Sequence, residues 1–176
     1  MIRESRIIAE WFHGPQVRKY TGVPYVLHTQ AVAKTVVSLG IGRVAIAAAH
    51  LHDVLEDTFA KPDTLREALV RFGISVPYAH LIVNRVIDLT DVFVDPAFGN
   101  RAKRKEAERA RLAMIHEESM IVKLADLIDN AQDIIENDKN FAKVFLKEAR
   151  LTLGVIGHAH RGLAIRLDSI LTAHGF

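Results

Sequence analysis

Four ionisable residues, His52, Asp53, Glu56 and Asp57, close the apolar run Ala47-Ala48-Ala49-His50-Leu51-His52-Asp53-Val54-Leu55-Glu56-Asp57-Thr58. Its alanine-rich part holds neither glycine nor proline, which predicts a buried helix. At roughly 100° per residue, His52 and Asp53 stand about a quarter turn apart, Glu56 lies about one turn beyond His52, and Asp57 about one turn beyond Asp53. One imidazole and several carboxylates then face one region. Negative charges gathered beside buried alanines are costly unless something positive neutralises them, and a divalent cation is the simplest candidate. A His-Asp pair on a helix is also common as an ordinary hydrogen-bonded surface pair. The rest of the chain has to separate these readings.

The elements around this run read as helices. Residues 3–13 form one, with Ile7, Ile8, Trp11 and Phe12 on its apolar side, and His13-Gly14-Pro15 punctuates the pattern. A loop made turn-rich by Gly22 and Pro24 follows, carrying two cations, Arg18 and Lys19, and two aromatics, before His28 at the start of the next helix. Taken alone, Arg18 and Lys19 are solvated loop charges and His28 a satisfied helix-end histidine. Residues 29–39 continue as helix to Gly40-Ile41-Gly42, and the central helix runs to about Glu56. Pro62-Asp63 opens an amphipathic helix with Leu65, Leu69 and Phe72 inward, closed by Gly73, and another helix covers 76–89. Residues 90–100 form a loop.

Residues 101–111 carry six cations against two carboxylates. They read equally as a solvated basic helix face or as an electropositive wall for a phosphorylated ligand. In the helix from Met120 to Ile135, Lys123, Asp126 and Asn130 share one face at i, i+3 and i+7, and a buried Lys-Asp ion pair would account for the first two. Residues 139–174 are helical in pattern, with a break at Gly154 and Gly157; His158, His160 and His174 show no ligand spacing and are expected at the surface. No strand alternation, internal repeat or low-complexity linker is present. The fold class is all-α.

Composition sets bounds. The 176 residues fit one domain, 1–176, with 49% hydrophobic and 25% charged residues, ordinary for a globular protein. The absence of cysteine leaves only imidazole and carboxylate for any metal. The first residues lack the apolar stretch of a signal peptide, and no apolar run reaches membrane-spanning length, so a cytoplasmic protein without a membrane partner is expected. A net charge of +2 argues for no nucleic acid.

In order along the chain, His28, His52-Asp53 and Asp126 give the pattern H…HD…D of HD-domain metallophosphohydrolases. The chain resembles the hydrolase domain of the RelA/SpoT alarmone enzymes, and particularly the stand-alone small alarmone hydrolases. The resemblance rests on Arg18-Lys19-Tyr20-Thr21-Gly22-Val23-Pro24-Tyr25-Val26-Leu27-His28, on Leu51-His52-Asp53-Val54-Leu55-Glu56-Asp57-Thr58, on Phe72-Gly73, and on Val122-Lys123-Leu124-Ala125-Asp126 with Asn130, within about residues 5 to 135.

It implies an HD-type helical bundle and one Mn²⁺, or another divalent cation, held by His28, His52, Asp53 and Asp126. It implies that Glu56 and Asp57 act on the attacking water and that Arg18 and Lys19 hold a guanosine nucleotide. Asn130, Lys103 and Arg104 are implied near ribose and phosphates. The implied reaction removes the 3′-pyrophosphate of (p)ppGpp, with a small-molecule nucleotide as the partner. Two departures stand out: Leu127 occupies a position usually basic in the long enzymes, and His50 one normally small or apolar. The competing functions are an HD phosphohydrolase for another nucleotide and a non-catalytic nucleotide-binding HD module.

Overall fold

Helices account for nearly all the regular structure. The computed structural model describes residues 1–176 as ten α-helices and two 3₁₀ turns, and its one strand-like feature is an isolated antiparallel bridge between Val17 and Pro24. No helix is long and apolar enough to cross a membrane. The chain divides into two compact units, Met1–Thr90 and Asp91–Phe176.

The first unit holds α1 (Ile2–His13), α2 (Val26–Ser38), α3 (Arg43–Leu51), α4 (Val54–Asp57), α5 (Pro62–Arg71) and α6 (Val76–Leu89). Its centre is α3, which packs against α1, α2 and α6. The composition of α3 explains how one helix takes three neighbours. Ala45, Ala47, Ala48 and Ala49 are all fully buried, so side chains of a single methyl line the contacts and the backbones approach closely. Leu51, Val32, Val36, Ile82, Val83 and Val86 complete this core with no exposure. Gly40, at φ +69°, adopts the left-handed turn that lets α2 reverse into α3.

The central helix is shorter than its apolar pattern predicts. It stops at Leu51, and a new turn, α4, starts at Val54. His52 supplies the cause: its Nδ1 binds the Ala49 carbonyl at 2.9 Å, taking up an acceptor that a continuing helix would offer to the Asp53 amide. The backbone stays near helical values through this break, and the Asp57 amide still donates to the Asp53 carbonyl at 2.8 Å. The one-turn offset of Asp57 from Asp53 therefore survives.

Two aromatic assignments differ from the pattern. In α1, Ile8 and Phe12 are buried as expected, but Trp11 is 63% exposed and meets Phe12 and Phe59 edge-on at its margin. Leu65 and Leu69 of α5 point inward, while Phe72 is 46% exposed because α5 ends at Arg71 and Phe72 already leaves the helical register as its C-cap. His50 is buried, and that burial, with the nearby Arg6 charge second, pushes its pKa down to about 4, so the ring is a neutral core group at ordinary pH.

The second unit holds the 3₁₀ turn Pro96–Phe98, α7 (Arg101–Leu112), α8 (Glu117–Asn137), α9 (Lys139–Ile156), the 3₁₀ turn Gly157–Ala159 and α10 (Arg161–Ala173). Within it α8 packs on α9 and α10, and α7 on α9. Side chains set the helix starts: Asn100 accepts from the Lys103 amide, Asp138 from the Phe141 amide and His160 from the Leu163 amide. His160 is thus a half-buried cap, whereas His158 and His174 are exposed as expected. Gly154 lies inside α9, and the break falls at Gly157 alone.

The three-sided packing of α3 makes its alanines intolerant of added volume. Ala48→Leu is expected to destabilise the protein by about 1–3 kcal/mol, because the added carbons force neighbouring backbones apart. Urea unfolding followed by circular dichroism measures this. An unchanged midpoint would mean that α3 is not enclosed on all three sides.

Candidate metal centre

In the first unit, His28 and His52 are brought together from the start of α2 and the end of α3, both 2% exposed. Their rings meet edge-on with centroids 5.1 Å apart, and their ligand nitrogens lie within 4.8 Å of each other. Asp53 closes the group. Its Oδ2 lies 3.0 Å from His52 Nε2 and 3.6 Å from His28 Nε2.

The bond that stops α3 also sets the chemistry of His52. A carbonyl only accepts, so the hydrogen sits on Nδ1, and in the neutral ring Nε2 is left as a lone-pair donor turned toward Asp53. A lone-pair nitrogen and a carboxylate oxygen 3.0 Å apart need a proton or a cation between them. Imidazole nitrogens and carboxylate oxygens, with no thiolate in the chain, suit a borderline divalent cation. The residues present fit a metal.

Tyr25 holds Asp53 in place. Its hydroxyl donates to Asp53 Oδ2 at 2.6 Å, and its ring stacks near His13 and meets His28 edge-on. Burial first, and the Asp53 charge second, raise its pKa far above the usual phenol range, so it stays a neutral donor. The sequence marked Tyr25 only as a loop aromatic. Its place one turn before His28 is the signal that links the two, since both then face the same way from the start of α2.

The other residues of this unit are arranged around that core. Glu56 and Asp57 are exposed on α4, one turn past His52 and Asp53. The Gln16 amide reaches Asp57 Oδ2 at 3.4 Å, and His13 Nδ1 lies 2.8 Å from Gln16 Oε1, so the buried His13 anchors a relay to Asp57. His13 and Gln16 escaped the sequence reading because His13-Gly14-Pro15 looks like punctuation, and only the fold brings Gln16 to α4. Arg18 and Lys19 sit in a pinned loop. The Arg18 amide donates to Val23 O at 2.8 Å, the Gly22 amide to Arg18 O at 3.0 Å, and the Tyr25 amide to Gln16 O at 2.9 Å. Gly22, at φ +69°, makes that turn without the strain a side chain would bring. Lys19 Nζ lies 4.7 Å over the Tyr20 ring and donates to its hydroxyl at 3.3 Å.

In the second unit, Asp126 is a buried carboxylate on α8, 4% exposed. Lys123 Nζ donates to its Oδ2 at 2.9 Å and the Asn130 amide to its Oδ1 at 2.6 Å, so the three residues sharing one helix face form one hydrogen-bonded row. Leu127 is buried in the same helix. On α7, Lys103 is exposed and Arg104 half-buried, its guanidinium donating to Gly99 O at 2.8 Å.

Comparison with known proteins finds relatives over most of the chain. A guanosine-3′,5′-bis(diphosphate) 3′-pyrophosphohydrolase of Aquifex aeolicus is 31% identical over 161 residues, which cover 89% of this chain and 21% of that protein. A protein of the same name from Vibrio cholerae is 32% identical over 138 residues, 76% of this chain and 18% of that protein. A GTP pyrophosphokinase of Streptomyces coelicolor is 32% identical over 164 residues, 91% and 18% respectively. The chain thus spans about a fifth of the length of these relatives. A solved structure described as a metazoan ortholog of SpoT that hydrolyses ppGpp shares the fold, with a TM-score of 0.83 at 24% identity over 99% of this chain and 95% of that one. Residues 5–151 match the HD domain, and the chain belongs to the HD domain family.

Proposed function

We propose that the protein is a metal-dependent guanosine-3′,5′-bis(diphosphate) 3′-pyrophosphohydrolase, converting (p)ppGpp to GDP or GTP and pyrophosphate. The observation that carries the reading is the convergence of His28, His52 and Asp53 in a chain whose relatives include proteins named for this reaction. Asp126 completes the ligand set, its carboxylate held in orientation by Lys123 and Asn130. The two units work as one hydrolase domain, a reading supported by the HD match running through both. Manganese is the metal. A bound divalent cation supplies Lewis acidity and lowers the pKa of a nearby water.

The chain's own groups do the rest. Glu56 and Asp57, one turn past the ligands, take the proton of the attacking water. The new bond joins the water oxygen to the phosphorus attached at the 3′ oxygen. The bond from that phosphorus to the 3′ oxygen breaks, and the proton passes to the departing ribose hydroxyl. Arg18 and Lys19 hold the guanosine end, where a guanidinium can both stack on a purine and bind phosphate. Lys103 and Arg104 neutralise phosphate charge, and Asn130 stands near the ribose.

Incubating the purified protein with a nucleotide panel in Mn²⁺ and identifying the products tests the assignment. Release of pyrophosphate and GDP from ppGpp is expected, and Asp53→Ala is expected to lose both metal retention and turnover. Hydrolysis of a different nucleotide with ppGpp ignored would reject the alarmone assignment and leave the metal chemistry in place.

Proton handling separates from metal binding in a second measurement. Glu56→Gln is expected to lower kcat by roughly 10²-fold with metal content unchanged. An unaltered kcat in both Glu56→Gln and Asp57→Asn would remove these residues from the proton path.

Tyr25 gives a third test. Tyr25→Phe deletes a hydroxyl that donates to Asp53 and leaves the ring contacts in place. Metal affinity is expected to fall by about 10- to 100-fold, as when other groups that orient metal ligands are lost. Metal titration by calorimetry measures it, and wild-type affinity would show that Asp53 is oriented by other contacts.

A further inference from the structure

The basic residues of α7 do not all face one way. Arg101, Lys105 and Arg109 follow one another at i, i+4 and i+8 along one side, whereas Lys103 follows Arg101 by about 200° and lies on the other. The Arg101 side faces α9, which presents Lys143 and Lys147 at the same four-residue spacing. Between the two helices lies a cavity of about 430 Å³ whose apolar lining comes from Ala102, Val144 and Leu151.

Charge in this cavity is only partly compensated within the unit. Arg101 makes a bidentate pair with Glu148, at 2.7 and 2.8 Å, and lies 5.5 Å over the Phe141 ring. Lys105 pairs with Asp91 at 2.6 Å. Arg109, Lys143 and Lys147 have no acidic partner, and Glu148 is the only carboxylate in the lining. Three like charges thus converge on an apolar pocket of the size that holds small ligands, roughly 300–1,000 Å³. Such an arrangement repels itself until an anion enters, and the apolar lining favours an anion with a flat or apolar part.

We propose that this groove is a second anion-binding site, separate from the metal centre, that takes a nucleoside diphosphate or triphosphate. The phosphates meet Arg109, Lys143 and Lys147, and the base lies on Ala102, Val144 and Leu151. The volume favours such a small molecule over a long acidic chain, which would need the stripe to continue beyond the cavity; α9 instead places Leu151 at the next four-residue step after Lys147.

Amide NMR of the full chain, titrated with ADP in the presence of EDTA, tests this without relying on hydrolysis. Saturable shifts are expected in residues 101–109 and 143–151. A Lys143→Glu/Lys147→Glu variant, altered only at exposed positions, should raise the apparent Kd for ADP by at least about tenfold. Lys143→Gln/Lys147→Gln, which removes charge without adding acid, should fall between the two and guard against misfolding. Shifts confined to residues 17–28, an affinity unchanged in both variants, or equal shifts with sodium sulfate would each overturn the proposal. So would a hexaglutamate peptide that displaces ADP at lower concentration, since that would assign the groove to an acidic protein.

Discussion

The hydrogen bond from His52 Nδ1 to the Ala49 carbonyl is the contact on which the candidate centre depends. Its net contribution to stability is modest, about 1 kcal/mol for a typical intramolecular hydrogen bond. Its consequences are larger. It ends α3 one residue before the His-Asp pair, assigns the ring proton to Nδ1, and turns Nε2 toward Asp53 and His28. An imidazole buried to 2% exposure has few other ways to keep one nitrogen satisfied by the protein and the second available as a donor. The same arrangement puts Asp57 one turn further on, outside the buried shell but bonded through its amide to the Asp53 carbonyl.

The meeting of His52 with His28 depends on α3 being built from alanine. A larger side chain at Ala47, Ala48 or Ala49 would hold α1, α2 or α6 away, and α2 is the helix that delivers His28. The core of the first unit and the geometry of its polar group are therefore one problem. Small residues bring the helices close enough for two imidazoles on different helices to face each other, and Tyr25 helps fix the aspartate beside them with a short hydrogen bond. His50 shows the other side of this economy. Buried two residues before His52, it is kept neutral by desolvation and adds no charge to a region already crowded with ionisable groups.

The all-helical fold and the order of the helices were legible from apolar periodicity and from glycine and proline, because those signals are local. What failed was also physical. Hydrophobicity placed Trp11 and Phe72 inward, yet Trp11 sits at the margin of an aromatic cluster and Phe72 falls just past the last turn of its helix, where the register no longer holds. The unbroken central helix was expected from propensity, which takes no account of a side chain capturing a carbonyl of its own helix. Of the candidate site, His28, His52 and Asp53 could be picked out by residue type, spacing and family resemblance. Tyr25 could be linked to His28 by its place one turn earlier but not to Asp53, and Gln16 and His13 not at all, since these contacts link residues 28 and 41 positions apart, or act through one that does.

The second unit shows how a small net charge can conceal a strongly polarised surface. A chain at +2 overall looks unremarkable, but its acids are largely engaged as caps and pairs. Asp138 caps α9, Glu148 and Asp91 hold Arg101 and Lys105, and Asp126 is taken by Lys123 and Asn130. Cations on α7 and α9 are left in excess where the helices face each other. Periodicity could show that residues 101–111 are basic on two sides, but not which side meets a neighbour, because the second stripe acquires meaning only when α9 lies against it. A solvated helix face has no use for an apolar floor or for a second helix with cations in matching register. Those two features separate the groove from ordinary surface charge, and they make the choice between a solvated face and a ligand wall a question about each side of α7 in turn.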